Sequence, residues 1–170
     1  MRLPLLAALV LVSVAAQARD FAVYPVARPE IVHGVQVGIV YFQPIDLEGA
    51  MMHPAADADL HLEADITAAK DDPDGYAEGD WRPYLSVGFR LTRNDTGQTL
   101  AGSLMPLVSY GKGSIGRPHY GDNLKLFGPG RYRLDLTVAP PAGQAIGGSS
   151  EPFTVHYDFV FAGIGKRGAY

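Results

Sequence analysis

The chain has 170 residues, 18 acidic against 14 basic side chains, a net charge of −4 and no cysteine. The acidic balance argues against a nucleic-acid partner, which needs a basic patch. Without thiols there can be no disulfide, zinc–thiolate site or iron–sulfur cluster, and no thiolate-bearing copper centre for electron transfer.

In chain order, Met1-Arg2 is a short basic start, residues 3–16 are almost wholly apolar, and Ala16-Gln17-Ala18 has the small-x-small pattern of a signal-peptidase site. This predicts a signal peptide over residues 1–18, cleaved after Ala18. The apolar run is too short and wrongly flanked to be a spanning helix. The expected product is a soluble protein exported to the periplasm. Loss of Arg2 leaves 13 basic and 18 acidic side chains, a charge of about −5, which suits binding a cation. Residues 19–170 are long enough for one domain with a real core.

Strand signals then recur. Gly34 to Gln43 alternates through Val35, Val37, Ile39 and Tyr41, and Leu60 to Ile66 places Leu62, Ala64 and Ile66 inward with His61, Glu63 and Asp65 outward. Asp71 to Gly79 reads as an acidic, turn-rich loop. Tyr84 to Thr92 alternates again, Asn94 to Gly97 turns, and Thr99 to Val108 returns as a strand. After Gly128-Pro129-Gly130, Arg131 to Val138 alternates through Tyr132, Leu134, Leu136 and Val138. Ala139 to Pro152 has no strand pattern, and Phe153 to Phe161 closes the chain with alternating aromatic and β-branched residues. At least six short strands joined by Gly, Pro and Asp turns predict an all-β fold, an antiparallel β-sandwich.

The side chains that could carry chemistry are candidate metal ligands. His61 and Glu63 leave one face of their strand, where they form either half an ion site or a solvated surface. His119 lies in Arg117-Pro118-His119-Tyr120-Gly121, which reads as a tight loop, and Met105 lies at the end of the Thr99 strand. Met51-Met52-His53 is a compact cluster upstream of His61. His33 and His156 read as surface or packing residues. Imidazole with thioether favours copper, especially the cuprous ion, while a carboxylate also suits the cupric or ferrous ion. No nucleophile elbow or phosphate loop is present, so the expectation is a binding protein and not an enzyme.

Several separated motifs occur together: His33-Gly34-Val35-Gln36-Val37, Asp59-Leu60-His61-Leu62-Glu63-Ala64-Asp65-Ile66, Trp81-Arg82-Pro83-Tyr84-Leu85, Ser103-Leu104-Met105-Pro106-Leu107, Pro118-His119-Tyr120-Gly121-Asp122-Asn123, Phe127-Gly128-Pro129-Gly130-Arg131-Tyr132 and Glu151-Pro152-Phe153. With them, residues 32–166 resemble the bacterial periplasmic proteins of high-affinity ferrous iron uptake. That resemblance implies an immunoglobulin-like or cupredoxin-like β-sandwich, a homodimer, and copper binding, with iron or manganese as further candidate ions. It also implies a non-catalytic helper of an inner-membrane iron permease, with His61, Glu63, Met105 and His119 at the metal.

One departure stands out. Members usually carry a further ligand histidine between the strand ending near Val138 and Glu151-Pro152-Phe153, where residues 139–150 here have none. A weaker or altered metal preference, replacement by His53 or by the Met51 or Met52 thioether, and an open coordination position are the competing explanations, with replacement favoured. The rival functions are a periplasmic copper chaperone or sequestering protein, and an interaction domain that has lost its metal.

Overall fold

The alternating segments become strands of an antiparallel sheet that curls over itself into two layers. The computed structural model describes residues 22–47, 50–107 and 117–164. The predicted signal peptide lies outside these residues, as does Val108 at the end of one predicted strand. The elements are β1 (Tyr24–Pro25), β2 (Glu30–Val32), β3 (Val35–Phe42), a 3-10 turn (Ala55–Asp57), β4 (Leu60–Ala68), β5 (Ser86–Arg93), β6 (Thr99–Leu107), β7 (His119–Leu124), β8 (Gly130–Ala139) and β9 (Phe153–Phe161). Their spatial order is β1-β3-β4-β7-β6-β5-β8-β9, with β2 also on β3.

One strand belongs to both layers. The first part of β6 pairs with β5, from Thr99 opposite Thr92 to Leu104 opposite Val87. Its last three residues, Met105 to Leu107, pair instead with β7. This hand-over joins the β1/β2/β3/β4/β7 layer to the β5/β8/β9 layer and gives the expected β-sandwich.

The core is built from the inward positions of both layers. Val35, Val37, Ile39 and Tyr41 of β3 and Leu62, Ala64 and Ile66 of β4 face Tyr132, Leu134, Leu136 and Val138 of β8 and the alternating residues of β9. The Tyr41 ring lies 5.6 Å from Phe159 and 6.2 Å from Phe161, bridging the layers. Burial of these alternating faces is what selects the register, because a one-residue slip would turn every apolar side chain outward.

All six predicted strands form, and three further ones appear. Strand β5 begins at Ser86 because Tyr84 has φ of 63°, a left-handed conformation that no strand accommodates. Strands β1 and β2 are too short to show alternation. Strand β7 corrects the tight loop expected around His119: the chain there is extended, and all six of its residues are buried. The exposed polar face expected for β4 is also corrected, since His61 is completely buried.

The acidic loop after β4 is an ion-paired clamp, not only solvated surface. Buried Arg82 binds Asp72 at 2.5 Å and Asp74 at 2.8 Å. Asp74 also accepts hydrogen bonds from the Gly147 and Gly148 amides. The unpatterned stretch after β8 is thus tied back to the loop after β4, with Ile146 fully buried between them and the core. Replacing Arg82 by Met leaves the buried Asp72 carboxylate without its cation, and losing one partner of such a pair costs about 3–5 kcal/mol. Chemical denaturation of Arg82→Met should show a loss of that order, whereas a surface ion pair would cost under ~1 kcal/mol.

Candidate metal centre

Three neighbouring strands bring the chemistry together. Alternation puts His61, Glu63 and Asp65 on one face of β4, and His119, Gly121 and Asn123 on one face of β7. Directly opposed residues in an antiparallel pair share a face. The register opposes His61 to Asn123 and Glu63 to Gly121. On its other side Gly121 opposes Met105, so Glu63, Gly121 and Met105 form a row across the sheet. His61 and His119 flank that row.

The geometry within this patch could hold a metal ion. One ligand atom each from His61, Glu63 and His119 lies within 4.8 Å of the others. The imidazole centroids are 6.0 Å apart with planes at 87°, and His119 Nε2 is 3.6 Å from Glu63 Oε2. His61 and His119 are 0% and 2% exposed. Each spends Nδ1 on a hydrogen bond, His61 to Asn123 Oδ1 at 3.0 Å and His119 to the Arg117 carbonyl at 2.8 Å. Among the described residues the buried side-chain polar atoms without a hydrogen-bond partner are both of these Nε2 atoms and Trp81 Nε1. A buried polar atom left unpaired costs roughly 1–3 kcal/mol. Two imidazole nitrogens left so beside one carboxylate fit an ion that takes their lone pairs.

Gly121 makes the room. A Cβ there would stand 2.6 Å from His61 Nε2 and 3.1 Å from Leu107 Cδ1. Any larger residue would occupy the space beside the unpartnered His61 nitrogen.

Burial sets the protonation states. It lowers His61 from 6.5 to about 4, with His119 adding to the effect and the Asn123 hydrogen bond and Asp122 opposing it. Burial raises Glu63 from 4.5 to about 7, reinforced by the charge of Asp65 and by the hydrogen bond to it. Asp65 is raised too, mainly by burial, against the pull of His119 and Arg117. The polypeptide thus holds one neutral imidazole and a carboxylate reluctant to ionise, and a bound cation would relieve that reluctance. Two imidazoles, a carboxylate and a thioether placed alongside by register form a mixed donor set suited to copper, and the carboxylate also suits ferrous iron.

The Met51-Met52-His53 cluster lies largely at the surface. Met51 is 86% exposed and Met52 is half-buried. The His53 side chain is 74% exposed, and its Nδ1 lies 2.7 Å from Asp122 Oδ2. The structure therefore brings together His61, Glu63 and His119, sets Met105 beside them, and leaves Met51 and His53 at the surface. His156 is exposed and paired with Asp135 at 2.6 Å, and His33 is an exposed turn residue stacked near Phe153. Gly121, Asn123 and Asp65 were not singled out from the sequence. The Gly-Asp-Asn run after His119-Tyr120 looks like a turn, and only the extended backbone of β7 reveals its role.

Opposed titrations at His61 and Glu63 predict a specific pH response of the metal-free protein. As pH falls from 6.5 to about 4 an unfolded chain protonates His61 while the folded chain does not, so this group withdraws stability towards acid. As pH rises from 4.5 to about 7 the unfolded chain ionises Glu63 while the folded chain does not, so this group withdraws stability towards neutrality. The two nearly cancel in the wild type. Glu63→Gln removes the second, and its stability relative to wild type should rise by about 3 kcal/mol between pH 4.5 and 7.5. Urea melts at both pH values check this, and a constant difference would contradict it.

Comparison with known proteins agrees with the geometry. Residues 20–163 match the family of Fe2+ transport proteins. A UPF0423 protein of Brucella abortus (strain 2308) is 45% identical over 169 residues, covering 91% of this chain and 88% of that protein. FetP of uropathogenic Escherichia coli strain F11, recombinantly expressed in the periplasm of E. coli, has a similar crystal structure: 36% identity, TM-score 0.74, 84% of this chain and 98% of that one. The copper-reconstituted P19 protein of Campylobacter jejuni is similar at 35% identity and TM-score 0.76, covering 85% of this chain and 99% of that one. With the matched region spanning all of the described strands, the chain belongs to the Fe2+ transport protein family.

Proposed function

We propose that this protein binds a copper ion through His61, Glu63 and His119, with Met105 as a fourth, soft donor, and that it does so in support of periplasmic iron uptake. The observation that carries the reading is the pair of buried, unpartnered Nε2 atoms converging with Glu63 within 4.8 Å. The copper-reconstituted relative supports copper as the ion, and family membership supports the link to iron uptake. Ferrous iron, or manganese, is the alternative ion for the same oxygen and nitrogen donors.

In this reading the chain holds and presents an ion and does not turn over a substrate. The mature protein works in the periplasm after loss of residues 1–18, as a homodimer, and passes its ion to an inner-membrane permease. The described residues contain no helix long and apolar enough to cross a membrane. His61 and His119 supply preformed nitrogen donors, so little ordering has to accompany binding. Glu63 supplies the anionic oxygen, and ion binding has to displace its proton below about pH 7. Met105 supplies the donor that distinguishes cuprous from cupric ion.

Calorimetric titration of the mature protein tests the site. His61→Ala and His119→Ala should each weaken copper binding by more than the roughly 10–100-fold typical of losing an outer-shell partner. Met105→Leu should weaken cuprous binding more than cupric binding. Wild-type affinity should climb with pH up to about 7, and Glu63→Gln should flatten that rise. Unchanged affinity in His61→Ala would remove the site. Growth of the source bacterium at low iron and at excess copper separates iron uptake from copper sequestration: a strain carrying His61→Ala should fail at low iron, and a defect confined to excess copper would favour the chaperone reading.

A further inference from the structure

Asn123 sits where the ion-binding face meets the surface stretch that carries Met51 and His53. Its side chain is 1% exposed and fully engaged. Nδ2 donates to the Ile45 carbonyl at 2.6 Å and to the His53 carbonyl at 2.7 Å. Oδ1 accepts from the Ile45 amide at 3.2 Å. Backbone groups have fixed roles, so these contacts decide which end of the amide is oxygen. A flipped Asn123 would aim its NH2 at an N–H and its oxygen at two carbonyls.

The consequence falls on His61. The oxygen of Asn123 lies 3.0 Å from His61 Nδ1, and an oxygen acceptor there requires that nitrogen to carry the proton. Nε2, beside the Gly121 gap, is then the nitrogen with the lone pair.

The same residue reaches outward. His53 is held at both ends by the Asp122-Asn123 pair: its carbonyl by Asn123, its amide by Asp122 Oδ1 at 3.0 Å, and its ring by Asp122 Oδ2 at 2.7 Å. The Asn123 amide in turn donates to Asp122 Oδ1 at 2.8 Å. A cation at His61 Nε2 makes the Nδ1–H a stronger donor to Asn123 Oδ1. A polarised Asn123 amide then donates more strongly to Ile45 and His53.

We propose that Asn123 is a positioning residue that locks His61 in the Nδ1–H tautomer and couples an ion at Nε2 to the Ile45 and His53 anchor points of the surface stretch. The coupling rests on the proposed metal site; the tautomer does not. An ion in the buried site would thereby be registered at a surface that presents Met51 and His53.

Nitrogen NMR of the His61 ring in the metal-free wild type should show the Nδ1–H form. Asn123→Leu, which offers no acceptor, should lose this preference and bind cuprous ion roughly 10–100-fold more weakly. Asn123→Asp restores an acceptor for Nδ1–H without the two donors. It should recover the tautomer, while the Ile45 and His53 amides exchange with solvent at least about tenfold faster than in wild type. Adding cuprous ion should slow exchange at Ile45 and His53 in the wild type and not in Asn123→Asp. An Nε2–H tautomer in the metal-free wild type would overturn the positioning role, whether or not Asn123→Leu folds. Copper that binds at His61 yet leaves Ile45 and His53 exchange unchanged would overturn the coupling. Failure of copper to bind His61 at all would refute the proposed function and the coupling together, while leaving the tautomer assignment to stand on its own spectrum.

Discussion

The pairing of β4 with β7 is the constraint on which the rest depends. It opposes His61 to Asn123 and Glu63 to Gly121, and so buries two imidazoles around a residue with no side chain. The apolar halves of these same strands, Leu62, Ala64, Tyr120 and Leu124, face the core and fix the register. Hydrophobic burial on one face therefore specifies polar geometry on the other. Tyr120 reinforces it, its hydroxyl donating to the Arg82 carbonyl at 2.7 Å and accepting from the Leu85 amide at 2.9 Å.

That arrangement is costly for an ion-free chain. It keeps two Nε2 atoms unpaired, forces His61 to stay neutral and holds Glu63 towards its protonated form. A cation in the space beside Gly121 would relieve each cost. A site of this kind trades ion-free stability for readiness, since its donors already converge before the ion arrives. The Arg82 clamp holds the surrounding scaffold, and the hand-over of β6 between layers sets Met105 opposite Gly121.

Much of this was legible in the residues, and the limits have physical causes. The strands with clean apolar alternation, from Val35 to Tyr41 or from Tyr132 to Val138, announce both their existence and their inward face. Strand β7 does not, because four of its six residues are His, Gly, Asp and Asn. These are the residues an ion site and its supports require, and they are also the residues of turns. The burial of His61 was hidden for a related reason: a polar face on an alternating strand ordinarily meets water, and here the end of β3 brings Phe42 to 4.9 Å from the ring. His61, Glu63, Met105 and His119, which the resemblance names, lie on one patch of the sheet. The resemblance could not show that His53 is held by Asp122, a contact between residues 69 positions apart.

The most direct measurement is a crystal structure of the copper-loaded protein, with the metal located by its anomalous scattering. The account predicts copper about 2 Å from Nε2 of both His61 and His119, in the space left by Gly121 and within reach of Glu63 and Met105. Copper seated on His53 and Met51, or on any nitrogen other than these two Nε2 atoms, would contradict it.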